Sequence, residues 1–126
     1  MGPVRPRPLT LDAGALIAFE RRDRRVVRLL ELAREIHVPA GVVGQVWRNP
    51  ARQARLARFV VTDEVDVRSL DVETAKAAGH LCGATGTSDV IDASVVLLAR
   101  ERGAIIVTSD PLDLRRLDPG AELVEC

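Results

Sequence analysis

The stretch SDVIDASVVLLARERGAIIVTSDPLD, residues 88–113, reads as two apolar elements with carboxylates at their ends. SDVIDASVVLLARERG reads as a mostly apolar helix, with Ser88 suiting its N-cap and Gly103 its stop. Ala104 to Thr108 is an apolar run of strand length. Asp89 and Asp92 open the helix, while Asp110 and Asp113 follow the strand. Buried like charges repel one another and lose hydration, so they persist only where something positive compensates them. A metal ion, arginine partners or plain solvent exposure would each serve.

The pattern recurs at the start of the chain. Leu9 to Leu11 form a short apolar strand, Asp12 stands at its end, and AGALIAF continues as a helix. An acid there points into the crevice where open α/β sheets bind ligands, and it also suits the N-cap of the next helix. Asp23 to Glu35 predicts a second helix, IHVPA a short strand, and AGVVGQVW a third helix. Asn49 and Pro50 mark a turn before a helix over ARQARLARFV. EVDVRSL alternates as a strand with Val65, Val67 and Ser69 inward, and Asp71 starts another helix that ends in the GATGTS loop. A helical turn over PLDLRRL and a last strand over AELVE complete the chain. Strands alternating with helices predict an α/β protein: a three-layer α/β/α domain with a mostly parallel central sheet. Residues 1–8, rich in proline and arginine, read as a flexible lead-in, and residues 9–126 as one domain.

Composition removes several function classes. Formal net charge is zero, so no global field draws the chain to a polyanion, and any such contact must come from a local patch or a metal. Cys82 and Cys126 are too few and too far apart for a disulfide framework or a zinc site. No signal-peptide pattern follows Met1 and no apolar run reaches membrane-spanning length, so a cytoplasmic protein without a membrane partner is expected. His37 and His80 have no second ligand at metal spacing and read as packing residues. Gln45 sits among apolar neighbours, and helix geometry alone leaves it facing either solvent or the interior. Arg52, Arg55 and Arg58 recur every third residue, with Arg48 just ahead of the turn. A solvated face is the plainer account of that stripe, and a local phosphate contact the sharper one.

Right-handed crossovers bring Asp12, Asp92 and Asp110 to one edge of the sheet, with Asp113 nearby. Asp89 lies roughly sixty degrees around the helix from Asp92. Aspartates converging without lysine or histidine favour a hard divalent cation such as Mg2+ or Mn2+. Such a site suits phosphodiester hydrolysis, because the ion acidifies a water and neutralises phosphate charge. A Ser-His-Asp or Cys-His arrangement does not compete. A phosphotransfer receiver would need paired acids after the first strand and a late lysine. A haloacid-type phosphatase would need an acid where this chain has Gly14.

With LDAGALIAF around Asp12, VPAGVVGQVWR, DVIDASVVLLAR and VTSDPLDL in this order, the sequence resembles the PIN-domain ribonucleases, specifically the VapC-type toxins, from about Leu9 to Val124. The resemblance implies a Mg2+- or Mn2+-dependent endoribonuclease, neutralised by a VapB-like antitoxin and forming a homodimer. Carried over by position, it implies Asp12, Asp92, Asp110 and Asp113 as catalytic acids, and Asp12, Asp92, Asp89 and Asp113 as metal ligands. Gln45, Thr108 and Ser109 would act in supporting or water-mediated roles, and Arg48, Arg52 and Arg55 are candidate RNA contacts. Gln45 departs from the family pattern, which places a glutamate there; an amide keeps the reach but loses the charge. Compensation by Asp89 is the favoured account. A degenerate PIN domain, acting as a non-catalytic RNA- or protein-binding module, is the alternative.

Overall fold

Five strands pair in the order β3-β2-β1-β4-β5 in the computed structural model, which describes residues 7–126. They are β1 (Leu9–Leu11), β2 (Ile36–Pro39), β3 (Val65–Arg68), β4 (Ile105–Thr108) and β5 (Leu123–Glu125), and every pairing is parallel. Seven helices connect them among the described residues: α1 (Ala13–Glu20), α2 (Arg24–Leu32), α3 (Ala40–Val46), α4 (Ala54–Phe59), α5 (Val72–Thr85), α6 (Val90–Arg102) and α7 (Pro111–Leu117). The expected three-layer α/β/α architecture is present. From β1 the chain builds outward through β2 and β3, then returns to place β4 on the other side of β1. That reversal opens a crevice at the carboxyl ends of β1 and β4, the position where open α/β sheets bind ligands.

A parallel sheet covered on both faces needs strands that are apolar throughout. Leu11, Val38 and Val107 are fully buried accordingly, and Ile106 nearly so. Helix α6 lies across β1, β2 and β4 with α5 packed against it. Its buried set, Ala93, Ser94, Val95, Val96, Leu98 and Ala99, wraps most of the way round, which explains why its sequence shows little amphipathic contrast. Helix α1 packs on β1 and β4, and α2, α3 and α4 pack against α1.

Several expected boundaries shift for identifiable reasons. Helix α2 stops at Leu32, because Glu35 must be extended for its carbonyl to accept from the Leu9 N–H at 2.9 Å. Strand β3 ends at Arg68, so Ser69 takes no inward strand position. Helix α4 begins only at Ala54, since residues 49–53 form a turn closed by Arg52 N–H on Asn49 and Gln53 N–H on Pro50. The N-cap of α6 is Asp89 and not Ser88. Most of the expected lead-in, residues 1–6, falls outside the described residues. Within it, Arg7 is tied down, donating to both Glu122 carboxylate oxygens (2.9 and 3.1 Å) and to the Gly103 carbonyl (3.0 Å). No single helix among the described residues is long and apolar enough to cross a membrane.

Candidate active site

The parallel register of β1 and β4 sets Leu11 beside Val107, so the next residues, Asp12 and Thr108, emerge together at the crevice. Asp12 is extended and caps α1, one carboxylate oxygen accepting from the Ala15 N–H at 3.0 Å. Its other oxygen accepts from the Thr108 hydroxyl. Only 6% of Asp12 is exposed, and burial raises its pKa against the opposing pull of the Thr108, Ala15 and Gly14 hydrogen bonds.

Thr108 is fully buried, and its hydroxyl does two jobs. It donates to Asp12 and accepts the backbone N–H of Asp110 at 2.8 Å, tying the last turn of β4 to the end of β1. Ser109, exposed beside it, lies directly over Gly14: a Cβ on Gly14 would collide with the Ser109 Cβ and Oγ. A glycine is therefore required where α1 passes under this turn.

Asp92 projects from the first turn of α6, and its pKa is pushed up to about 6. Burial is the first cause, followed by the negative charges of Asp89, Asp12, Asp113 and Asp110. Five aspartates thus meet here, and at Asp92 the charge of Asp113 outweighs that of Asp110. Asp110 is exposed, and its carboxyl is raised mainly by a hydrogen bond shared with Asp113. Asp113 stands in the first turn of α7 and meets the Arg116 guanidinium only loosely, at 3.7 Å. One Asp89 oxygen is committed to the α6 cap, accepting from the N–H groups of Ile91 and Asp92 at 3.0 Å each. Asp89 therefore orients the helix that carries Asp92, and only its second oxygen is left for any outside ligand. A cleft of about 520 Å³ opens from this group, bounded by Thr87, Ser88, Asp89, Asp92, Asp113 and Arg116.

The remaining candidates stand apart. Gln45 is exposed on α3 and makes no side-chain hydrogen bond among the described residues. It lies one turn beyond Gly41, where the absence of a side chain lets Ile91 of α6 pack against α3. Arg48 closes α3, donating to the carbonyls of Gly44 (3.2 Å) and Trp47 (2.6 Å). Arg52 is exposed in the turn before α4. Arg55 donates to the Phe19 carbonyl at 3.2 Å and stacks 4.3 Å from the Phe19 ring centre, holding α4 against α1. The expected stripe is therefore not continuous, because one member precedes the helix and another is turned inward.

One positioning residue, Gln53, escaped the sequence reading, and Thr108 was expected only in a supporting role. Gln53 donates to Glu20 (2.9 Å) and the Val46 carbonyl (2.8 Å), and accepts from the N–H groups of Arg48 (2.8 Å) and Asn49 (3.0 Å). Nothing local in the sequence signals that role. The double duty of Thr108 has a partial signal, since a threonine two residues before an aspartate suits a hydroxyl turn onto that residue's N–H.

The donors are all hard oxygens, and their carboxyls raise one another in the absence of a cation, which suits Mg2+ or Mn2+. Among the described residues no three His, Cys, Asp or Glu side chains are close enough to enclose an ion. Any ion held here would therefore touch few carboxylates and keep several waters.

A family model for the PIN domain matches residues 9–118, most of the chain. The chain belongs to the PIN domain family. Among solved structures, this PIN protein is similar to the toxin–antitoxin complex from Klebsiella pneumoniae (TM-score 0.70, 16% identity, covering 92% of this chain and 95% of that one). It is also similar to VapBC2 from Rickettsia felis bound to a promoter DNA fragment (0.67, 15%, 94% and 98%). A third is VapC20 of Mycobacterium tuberculosis, a sarcin–ricin loop cleaving toxin (0.64, 14%, 78% and 86%). At these identities the likeness establishes the fold. No curated protein matches the sequence significantly.

Proposed function

We propose that this PIN protein is a Mg2+- or Mn2+-dependent endoribonuclease toxin that hydrolyses RNA phosphodiester bonds and is restrained by a VapB-like antitoxin. The observation that carries the reading is Asp92, whose carboxyl is pushed up to about 6 by burial and by four neighbouring aspartates. Such a group is stabilised as an anion once a cation arrives. Asp12 and Asp92 would hold the ion directly, with Asp113 and the free oxygen of Asp89 reaching it through water. When bound, the ion supplies an acidified water and neutralises charge on the phosphate. The chain does the rest by placement. Thr108 fixes the Asp12 carboxylate and, through the Asp110 N–H, the turn into α7. Asp89 fixes the first turn of α6 and with it Asp92.

The antitoxin partner, a homodimer and a cytoplasmic site of action belong to the same proposal. The antitoxin is supported by likeness to proteins solved as toxin–antitoxin complexes. Purified protein freed of any antitoxin should cleave RNA with Mg2+ or Mn2+ and not with chelator present. Cleavage that survives unchanged in both Asp12→Asn and Asp92→Asn would remove the site assignment.

A non-catalytic PIN module is the second reading, favoured by the exposed Gln45 and by the absence of a closed carboxylate cage among the described residues. Metal titration of Gln45→Glu separates the two. Mn2+ binding tighter by about three- to tenfold, the scale of one added charge near a partly exposed ion, puts this position at the metal. Unchanged affinity, together with no cleavage by the parent protein, favours the module.

A further inference from the structure

We propose that Arg116 is the phosphate-positioning residue of this site: its guanidinium, lining the same cleft as the Ser88 hydroxyl, holds a backbone phosphate of single-stranded RNA beside the aspartates. The proposal rests on the nuclease reading and names the group that makes it workable. Five aspartates at one crevice repel a polyanion, and the chain's zero net charge supplies no global attraction to offset them. A local cation is needed at the place where substrate enters. Arg116 is the basic side chain lining the 520 Å³ cleft beside Asp89, Asp92 and Asp113.

Three features leave that guanidinium open to a ligand. Its side chain is 72% exposed, and its one ion pair among the described residues, to Asp113 one turn earlier, is a loose 3.7 Å. Exposed pairs of this kind contribute little, and most of the five N–H donors are left unused. A guanidinium also matches a phosphate in bidentate geometry. Leu117, the next residue along, is buried and lines the same cleft, anchoring the end of α7 from which Arg116 projects.

The turn from α5 into α6 brings the Ser88 hydroxyl to the same cleft. Gly86, at φ 71°, ends α5 in the left-handed conformation and turns the chain back across the cleft. The Thr87 N–H is fastened to the Cys82 carbonyl at 3.0 Å; because the Thr85 hydroxyl donates to the Leu81 carbonyl at 2.8 Å, the Thr87 hydroxyl donates to Thr85 at 3.1 Å and holds the turn in place. Because Asp89 takes the α6 cap, the Ser88 hydroxyl is released from that duty and stays at the cleft rim. The cleft therefore carries the carboxylates of Asp89, Asp92 and Asp113, the Ser88 hydroxyl and the Arg116 guanidinium. A phosphate held by Arg116 would place the neighbouring phosphodiester over the acids.

The test uses a fluorescein-labelled single-stranded RNA oligonucleotide of mixed sequence and the full-length protein carrying Asp92→Asn, which does not turn the probe over. Adding Arg116→Ala should weaken binding about five- to tenfold and lower the salt slope of log K by about one. Arg116→Lys should restore the salt slope but only part of the affinity, because an ammonium keeps the charge and loses the bidentate fork, and Lys76→Ala on α5 should change nothing. In otherwise native protein, Arg116→Ala should raise KM far more than it lowers kcat, with Mn2+ affinity within about twofold of the parent. Unchanged RNA binding and salt slope in Arg116→Ala would overturn the proposal while leaving the nuclease reading intact. Mn2+ affinity lost in parallel with cleavage would also overturn it, reassigning Arg116 to holding Asp113. Failure of the parent protein to bind or cleave RNA at all would sink the nuclease reading and this proposal together.

Discussion

Two groups of acids sit on the same sheet and are treated in opposite ways. On β2, His37 is nearly buried, with Nδ1 3.2 Å from Asp66 and Nε2 3.1 Å from Glu35. The parallel register sets His37 beside Asp66 of β3, so the ring lies between two half-exposed carboxylates. One strand over, at the carboxyl end of β1, Asp12 and its neighbours have hydroxyl and backbone donors but no comparable ring. The β2 group is finished by the chain itself. The β1–β4 group is held in place by Thr108 and by the Asp89 cap, yet its charges are left unbalanced. The β2 carboxylates have a ring nitrogen between them, whereas the β1–β4 carboxylates have only the loose Arg116 contact, a difference that supports the proposed cation.

The sharpest break of that contrast is Asp92→Asn. It should lower cleavage at least about a thousandfold, since the metal contributes several kcal/mol to the transition state. The same change should raise the melting temperature of metal-free protein by relieving repulsion, a combination that a merely structural residue would not give. Thr108→Val comes next. It strips the donor from Asp12 and the acceptor from the Asp110 N–H, so metal affinity or activity should fall about 10- to 100-fold, read by Mn2+ titration.

The pH dependence follows from Asp92, whose folded pKa of about 6 lies above the ordinary 3.8. Between those values the folded metal-free protein keeps a proton that the unfolded chain has lost. Its stabilising contribution is therefore full below about pH 4 and is lost as pH rises through 6. Asp12 shifts in the same direction. Metal binding must displace the Asp92 proton, so affinity should fall about tenfold per unit below pH 6 and level off above it. Calorimetric titration with Mn2+ from pH 5 to 7.5 would read this, and a flat profile would place Asp92 away from the ion. The mildest effect belongs to the β2 group. His37→Gln should destabilise the fold by about 1–2 kcal/mol in urea melts while leaving metal affinity unchanged. A loss of metal binding there would erase the distinction between the two groups.

Much of this was legible in the residues. The apolar runs of β1 and β4, each ending at an acid, predicted the crevice correctly, because a buried parallel strand must be apolar along its whole length. The α6 motif predicted an apolar helix opening with Asp89 and Asp92, but its cap was assigned to Ser88, one residue early. Ser and Asp are both good caps, and only the backbone shows that Asp89 is the residue whose oxygen reaches the next N–H groups. The arginine stripe misled for a related reason. Helical spacing cannot reveal that residues 49–53 form a turn, or that Phe19, 36 residues away, receives Arg55.

By itself, then, the sequence determined the alternation of elements, the apolar face of each and the acids at their ends. These follow from local backbone preference and from the cost of leaving apolar surface in water. Only the tertiary structure decided which acids meet. Asp12 and Thr108, 96 residues apart, are joined because β1 and β4 pair in one register. Such pairings depend on how whole elements pack, and no short stretch of chain carries that information.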